Sequence, residues 1–267
     1  MLYLLIQKLY SIIKTFILYS TMPFRLILVY LVLLIGVYIL HYLNNVGDFT
    51  FCVLAAGKII LYILSINVEI SNEDMNKYMK YLHSDEKYLC VFTHSTLIDA
   101  VIIFGNLPRA AGVMNKQKEL KYILYDEKIS DKMGGILLDR SKMIGGTTKI
   151  IKNKVENRKS GDAPLYIAPG SGKTPEIPGN ITQFKSKGAF VNKTKILPII
   201  IKYEDDSLNY NGDMGESMLH SYLKIFLVEN YNVKIKIGDM IDPLETESIE
   251  NYKDRVYNIM NEQYKEM

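Results

Sequence analysis

The feature that most constrains the fold is an apolar run near the start of the chain. Residues 26–43 are eighteen residues without a full charge, roughly the length that crosses a hydrocarbon core. A polar turn at residues 44–48 follows, and residues 49–66 form a second apolar run that only Lys58 interrupts. Two such runs joined by a short turn predict a membrane-anchoring helical hairpin.

Residues 1–19 show a different pattern. On a helical wheel their polar side chains fall within one stripe, and the remaining face is leucine, isoleucine, phenylalanine and tyrosine. A helix with lysines in its polar stripe lies in the membrane interface rather than across the bilayer. We therefore predict an interfacial amphipathic helix, and a third span that tolerates two lysines is the alternative. The stripe consists of Gln7, Lys8, Ser11, Lys14 and Thr15.

The basic residues indicate on which side of the membrane the chain lies. Lys8, Lys14 and Arg25 precede the hairpin, whereas its turn carries only Asp48. The positive-inside rule then places the N-terminus in the cytosol. A hairpin that crosses twice and a hairpin that dips into one leaflet both return the rest of the chain to that side. We therefore expect a membrane protein in which the chain after the hairpin faces the cytosol.

After residue 70, short β-rich runs alternate with helical ones. Several runs are apolar without alternation, as expected of strands buried on both faces. This order predicts an α/β domain, a mixed and largely parallel sheet flanked by helices, over residues 71–267, with residues 1–70 as the membrane segment. The predicted strands are 87–93, 109–114, 135–138, 163–168, 195–201 and 232–237, and the predicted helices are 97–106, 116–126, 143–158 and 249–264.

Charge is unevenly distributed along the chain, although the net charge is only +3. Residues 109–195 hold 18 basic and 8 acidic side chains, whereas residues 196–267 hold 7 and 14. The basic middle third suggests an anionic ligand or a membrane surface, and solvated lysines are the alternative. No base-stacking aromatic motif accompanies the lysines, so we expect no nucleic acid partner. Cys52 and Cys90 are too few for a disulfide framework and lack metal-ligand spacing to any histidine, so we expect a reducing compartment and no metal.

His94 is the histidine best placed for chemistry. It ends the strand predicted at 87–93, and Asp99 follows five residues later. The carboxyl ends of strands are where α/β sheets form ligand crevices. If the chain turns before the helix begins, Asp99 can hydrogen-bond one ring nitrogen and leave the other basic. The alternative is structural, because Thr96 and Asp99 also have the spacing of a capping box at a helix start.

Four sequence blocks in order resemble the glycerolipid acyltransferase family typified by 1-acylglycerol-3-phosphate acyltransferases. The first is the H-x4-D motif in FTHSTLIDAVI. The second is MGGILLDRS, similar to the family's G-x-I-x-x-D-R block and preceded by MNKQKEL. The third is IAPGSGKT with FKSKGAF after it, and the fourth is the strand ILPIII. The similarity extends from about residue 88 to residue 262, and the hairpin is similar to the anchor of such enzymes.

The resemblance implies a membrane-bound O-acyltransferase without a cofactor. Its co-substrate would be acyl-CoA or an acyl-carrier protein, and its acceptor a membrane glycerolipid. His94 would be the general base that deprotonates the acceptor hydroxyl, and Asp99 would orient its imidazole. Arg140 would bind the acceptor's phosphate, for which a guanidinium fork is suited. A salt bridge from Arg140 to Asp139 or Glu119 is the structural alternative.

The third block departs from the family pattern, which has glutamate and arginine where this chain has Pro169 and Gly172. The resemblance still implies an acceptor pocket here. A glycine would let the backbone approach the acceptor closely, and a lysine would replace the positive charge of the missing arginine. The substrate-binding residues expected around this pocket are Gly170, Ser171, Lys173 and Lys118.

Lysophosphatidic acid is the expected acceptor. Another lysophospholipid or a neutral glyceride is the alternative, because a proline-glycine third block resembles the branch that acylates neutral glycerides. A non-catalytic lipid-binding membrane protein and a lipid hydrolase are the rival classes. Retention of both His94 and Asp99 argues against the first, and the sequence offers no separate nucleophile for the second.

Overall fold

A sheet of seven strands forms the centre of the protein in the computed structural model, which describes residues 2–43, 46–115, 127–138, 146–170, 175–211 and 215–267. The strands are β1 (Ile66–Ile70), β2 (Tyr88–Phe92), β3 (Ala111–Asn115), β4 (Ile136–Leu138), β5 (Leu165–Ile167), β6 (Lys195–Tyr203) and β7 (Tyr231–Ile237). They lie in the order β1-β7-β6-β2-β5-β3-β4, and each neighbouring pair is parallel except β6 with β7. The mixed, largely parallel sheet predicted from the sequence is therefore confirmed.

Helices cover both faces of this sheet. Alternate residues of β2 belong to different cores, since Cys90 packs on one face and Leu89 and Val91 on the other. The first core takes its helical residues mainly from the helices at 46–63, 72–82, 99–106 and 218–225, and the second takes them from the helices at 146–156 and 249–266. The described helices are α1 (Leu2–Tyr42), α2 (Val46–Ile63), α3 (Asn72–Leu82), α4 (Asp99–Asn106), α5 (Glu127–Lys132), α6 (Gly146–Glu156), α7 (Met218–Ile225) and α8 (Ile249–Glu266).

The six predicted strands are present, as are the helices predicted at 97–106, 143–158 and 249–264, with shifted ends. The helix predicted at 116–126 lies outside the described residues. The sequence analysis did not find β1, α3, α5 or α7. In α3 only Tyr78 and Leu82 are buried, so a polar composition conceals an amphipathic helix. Because β1 pairs with β7, the sheet begins before residue 71.

The N-terminal part forms one continuous helix. We predicted an interfacial helix at residues 1–19 ahead of the hairpin. In the structure α1 continues through residue 19 to Tyr42 and includes Pro23, so this segment and the first limb of the hairpin form one helix. The hydroxyl of Thr21, two residues before this proline, donates to the carbonyl of Ile17 at 2.9 Å. Within the described chain, Ile12–Tyr42 is long and apolar enough to span a membrane, by length and composition.

Glycines set the packing of α2 against its two neighbours. A Cβ built on Gly36 of α1 would lie 3.6 Å from Cβ of Ala56, an ordinary contact between the two helices of the hairpin. On its other side α2 meets α4, and a Cβ built on Gly57 would lie 2.4 Å from Cα of Gly105. No side chain fits at that distance, so only glycine permits this approach. The hairpin is thereby attached to the helix that begins with Asp99.

Candidate active site

His94 lies just beyond the carboxyl end of β2, near the middle of the sheet. The preceding residue, Thr93, extends the pairing of β2 with β6. Its backbone N–H donates to the carbonyl of Ile199 at 3.2 Å, and its hydroxyl accepts the N–H of Ile201 at 2.8 Å. The ring of Phe92 lies 5.7 Å from the imidazole, measured between centroids. The backbone is thus held in place up to the residue before His94.

The structure brings His94 and Asp99 together. Nδ1 of the imidazole lies 2.7 Å from Oδ2 of Asp99, which is the first residue of α4 and fully buried. The same Oδ2 accepts the backbone N–H groups of Ser95 and Thr96, each at 3.0 Å. The dyad is therefore present. Of the capping box, the alternative prediction, only the bond from the Thr96 N–H to Asp99 is formed, because the helix begins at Asp99 and its N-cap is Ile98. The turn of residues 94–98 makes the dyad possible, because it precedes the helix.

Two hydroxyl groups contact the other carboxylate oxygen. The Thr96 hydroxyl lies 3.2 Å from Oδ1 of Asp99, and the phenol of Tyr203 donates a hydrogen bond to the same atom. The sequence analysis used Thr96 only as a cap and did not identify Tyr203. No sequence signal connects Tyr203 to Asp99, because the contact depends on β6 lying beside β2.

The surroundings of His94 favour a basic but protonatable imidazole. Burial alone lowers its pKa, but the hydrogen bond to Asp99 and the negative charge of that carboxylate together raise the pKa above the ordinary value of 6.5. The His94 side chain keeps 31% of its surface exposed, whereas that of Asp99 has none. Because Nδ1 is bonded to Asp99, Nε2 is the nitrogen available to a substrate. The arrangement suits proton transfer at a partly open site.

Gly170 follows β5 as His94 follows β2. In the parallel pairing of these strands Val91 lies opposite Ile167, and each of the two site residues comes three positions later. The three atoms nearest to a Cβ built on Gly170 all belong to Thr182, and the nearest lies at 3.5 Å, so crowding within the described chain does not require glycine there.

The remaining predicted substrate-binding residues lie outside the described residues. They are Arg140, Ser171, Lys173 and Lys118. Arg140 comes two residues after the end of β4, and Lys118 comes three residues after the end of β3. Both strands are parallel to β2 through β5, so the chain leaves them at the same edge of the sheet as His94.

Many described lysines of the basic middle third form ion pairs. Two partners, Glu250 and Asp242, belong to the acidic last third, so the two segments neutralise each other in part. These pairs are mostly exposed and are worth little stability individually. The described pairs include Lys187–Glu250 at 2.6 Å, Lys195–Asp242 at 3.1 Å, Lys195–Glu86 at 2.9 Å and Lys185–Glu176 at 3.0 Å. Within the described part of the chain, no group of three or more His, Cys, Asp or Glu side chains could hold a metal ion.

Comparisons with known proteins agree with this geometry. No curated protein matches the chain. Among solved structures, the 1-acyl-sn-glycerophosphate (LPA) acyltransferase PlsC from Thermotoga maritima has a similar fold, with a TM-score of 0.60 and 16% sequence identity over 97% of this chain and 96% of that one. The family model described as Acyltransferase matches residues 68–202, which is half of the chain and includes both His94 and Asp99. The protein therefore belongs to the acyltransferase family and is an acyltransferase.

Proposed function

We propose that the protein transfers a fatty acyl group from acyl-CoA or an acyl-carrier protein to the hydroxyl of a glycerolipid, lysophosphatidic acid being the favoured acceptor. The observation that carries the proposal is the 2.7 Å hydrogen bond between His94 and the buried Asp99, at the carboxyl edge of the sheet in a chain of this family. A partly exposed imidazole with one nitrogen bonded to a carboxylate is the arrangement expected of a general base.

The reaction follows from the two nitrogens of His94. Nε2 accepts the proton of the acceptor hydroxyl while the hydroxyl oxygen attacks the thioester carbonyl. Asp99 holds the Nδ1–H and stabilises the imidazolium that forms. The tetrahedral intermediate collapses, the C–S bond breaks, and the thiolate takes the proton back from Nε2. The products are the acylated lipid and the free thiol, and no covalent enzyme intermediate or cofactor is needed.

The positively charged side chains expected near the acceptor phosphate favour lysophosphatidic acid. Arg140 offers a planar fork for two phosphate oxygens, and Lys118 and Lys173 add positive charge in the segments that follow β3 and β5. The structurally similar Thermotoga maritima protein is an LPA acyltransferase by name. Another lysophospholipid or a neutral glyceride is the second choice, and Pro169–Gly170 is the feature that favours the neutral acceptor.

The N-terminal helix supports attachment to one leaflet of the membrane. Along α1 the outward face is apolar, and its exposed residues include Phe16, Ile27 and Tyr38. The inward face is bonded to the α/β domain at both ends, since Lys14 pairs with Glu229 at 2.9 Å and Lys132 donates to the carbonyl of His41 at 3.1 Å. Residues 14 and 41 of a helix are about 40 Å apart, more than the hydrocarbon core is thick. A helix that is attached along its length to one domain lies parallel to the membrane plane and does not cross the bilayer.

Arg25 strengthens this attachment from the middle of the inward face. Its guanidinium donates to the carbonyl of Val228 at 3.0 Å and to that of Phe226 at 3.4 Å. The basic residues that precede the hairpin favour the cytosolic leaflet. The proposed enzyme therefore acts on lipids of the leaflet in which α1 lies.

An acceptor panel tests the proposal. Detergent-purified protein receives labelled acyl-CoA together with lysophosphatidic acid, glycerol 3-phosphate, lysophosphatidylcholine, monoacylglycerol or diacylglycerol. We expect label in phosphatidic acid and its loss in His94→Ala. His220→Ala is the matched control, because that side chain is 67% exposed and pairs only loosely with Glu216.

Other outcomes of the panel would select a different function. Label only in neutral glycerides would transfer the protein to the other acceptor class. Consumption of acyl-CoA without any acceptor would indicate a hydrolase. Full activity of His94→Ala would contradict the general-base mechanism, and inactivity with every acceptor and both kinds of donor would favour a lipid-binding protein.

A further inference from the structure

Tyr203 contacts the side of Asp99 that faces away from His94. It is the last residue of β6 and is 7% exposed. Its phenol donates to Oδ1 of Asp99 and lies 2.8 Å from the hydroxyl of Thr96. Thr96 is fully buried, and its hydroxyl in turn lies 3.2 Å from the same Oδ1. Two hydroxyl groups and one carboxylate oxygen thus form a closed triangle inside the protein.

The number of available protons determines the direction of the hydrogen bonds in this triangle. Thr96 and Tyr203 carry one hydroxyl proton each, whereas the triangle has three sides. An ionised carboxylate only accepts, so the phenol proton goes to Oδ1. The Thr96 proton is then shared between the phenol oxygen at 2.8 Å and Oδ1 at 3.2 Å. The hydrogen bonds therefore run from Thr96 to Tyr203 and from Tyr203 to Asp99, and each strengthens the next.

We propose that Tyr203 is a positioning residue for acyl transfer, because its phenol holds Oδ1 of Asp99 and thereby keeps Oδ2 directed at His94. The effect on catalysis rests on the function proposed above. The two oxygens of the Asp99 carboxylate bind different partners. Oδ2 binds the imidazole and the N–H groups of Ser95 and Thr96 in the turn before the helix, and Oδ1 accepts from Tyr203 and Thr96. Without Tyr203, Oδ1 loses a donor, so the carboxylate is held less firmly and shares less of its negative charge with groups other than His94.

Among the described residues, two ionisable groups act on Tyr203, namely Asp99 and Tyr231. Besides Asp99, its ring lies 6.1 Å from that of Tyr231, which comes from β7. The phenol of Tyr231 donates to the carboxylate of Asp205 at 2.9 Å and to its carbonyl at 2.7 Å. Burial raises the pKa of Tyr203 well above its ordinary value, and the charge of Asp99 adds to that rise, so the phenol keeps its proton. Tyr203 therefore acts as a neutral donor in the pH range in which His94 titrates.

The test measures the ionisation of His94 with and without the phenol. The full chain in detergent is labelled with ¹⁵N-histidine, and the pKa of each of the four histidines is followed by NMR. In Tyr203→Phe we expect the pKa of His94 to rise by about half a unit, because Asp99 no longer shares its charge with a donor. Tyr231→Phe is the matched control, since it removes a phenol hydroxyl from the neighbouring ring and leaves Asp99 untouched.

Kinetics give a second readout. We expect Tyr203→Phe to lower kcat about tenfold with KM for both substrates unchanged, because one hydrogen bond to a charged group is lost away from the substrates. The acid limb of the rate profile should move to higher pH together with the pKa of His94. An unchanged pKa and an unchanged acid limb in a folded Tyr203→Phe protein would overturn the proposal.

Two further results are informative. If Tyr203→Phe does not fold, Thr96→Val removes the hydroxyl that donates to the phenol, and a smaller rise in the pKa of His94 is expected. If the wild-type protein lacks transferase activity but the pKa of His94 still rises, the positioning of Asp99 by Tyr203 stands and the proposed function fails. If transferase activity is present and the pKa of His94 does not change in Tyr203→Phe, the proposed function stands and the positioning role of Tyr203 fails.

Discussion

Asp99 binds both His94 and the turn that leads into its own helix through a single oxygen, Oδ2. The orientation of the imidazole and the conformation of the turn before α4 therefore depend on one side chain. A substitution at this position changes the chemistry and the local fold together, and the two effects can be separated by choosing substitutions that differ in shape and charge.

Asp99→Asn keeps the shape of the side chain and removes its charge. We expect kcat to fall about 100-fold or more, because the amide no longer stabilises the imidazolium and can present its NH2 group to the ring. Asp99→Ala should in addition lower the free energy of unfolding by about 2–4 kcal/mol, since buried donors lose their acceptor. Activity assays and denaturant unfolding measure the two effects. The exposed Asp131→Asn is the control, and wild-type activity in Asp99→Asn would refute the role of the carboxylate.

The activity should depend on pH through His94. The pKa of His94 is raised above 6.5, so the base is protonated and inactive below that raised value, and kcat/KM should increase as the pH rises through it. Stability should change in the opposite sense. The imidazolium–carboxylate pair stabilises the folded state fully below pH 6.5, and this contribution is lost as the pH rises through the folded-state pKa.

Rate profiles and thermal unfolding curves between pH 5 and about 9 measure both trends, with His94→Ala as the variant that should lose them. An acid limb at or below pH 6.5 would contradict the raised pKa.

Gly170→Ala tests whether the backbone of the third block approaches the acceptor. The new methyl group would meet Thr182 at an ordinary contact distance of 3.5 Å, so we expect wild-type stability. If the acceptor binds against this backbone, its KM should increase several-fold while the KM of the acyl donor stays constant. Steady-state kinetics with each substrate varied separately give the answer. An unchanged KM for the acceptor would remove Gly170 from the pocket.

Gly57→Ala and Gly36→Ala form a matched pair in the two helices of the hairpin. The first places a methyl group 2.4 Å from Gly105 Cα, and we expect it to destabilise the protein by about 2 kcal/mol or more. The second places a methyl group 3.6 Å from Ala56, and we expect no loss, since alanine is the better helix former by about 1 kcal/mol. Thermal unfolding in detergent compares them, and equal melting temperatures would contradict the close approach of α2 and α4.

The depth of α1 in the membrane can be measured with spin labels. Phe16, Ile27 and Tyr38 are exposed and eleven residues apart, so they lie on one face of the helix, which spans about 33 Å between the outer two. A helix lying in one leaflet should give labelled cysteines at these positions similar depths in vesicles. A helix that crosses should place the label at position 27 deepest. The second pattern would contradict attachment to one leaflet.

The sequence predicted the elements with strong local signals. The strand β2 was recognisable because Leu89, Cys90 and Val91 are consecutive apolar residues, and both faces of that strand are indeed buried. The strand β1 was missed because Ile66, Val68 and Ile70 continue directly from the apolar hairpin, although its burial alternates as in an edge strand. Composition alone does not separate a buried edge strand from the end of a membrane helix.

The active site was predictable only as far as it is local in sequence. His94, Thr96 and Asp99 lie within six residues, so spacing could suggest both the dyad and the cap. Spacing could not indicate that the dyad and the bond from the Thr96 N–H occur on one carboxylate oxygen, because that depends on the turn between His94 and the helix. Tyr203 reaches Asp99 only through the pairing of β6 with β2, a consequence of topology that no local pattern encodes.

The contact between Gly57 and Gly105 determines how the protein can meet its substrate. Only two residues separate the end of α2 at Ile63 from the start of β1 at Ile66, so the hairpin has no tether on which the sheet could swing. If α1 lies in one leaflet as proposed, the height of His94 above the lipid is a fixed dimension of the molecule. The acceptor hydroxyl then has to reach His94 from the membrane side. A membrane whose headgroups lie at a different depth would change the turnover rate, although the site itself stays the same.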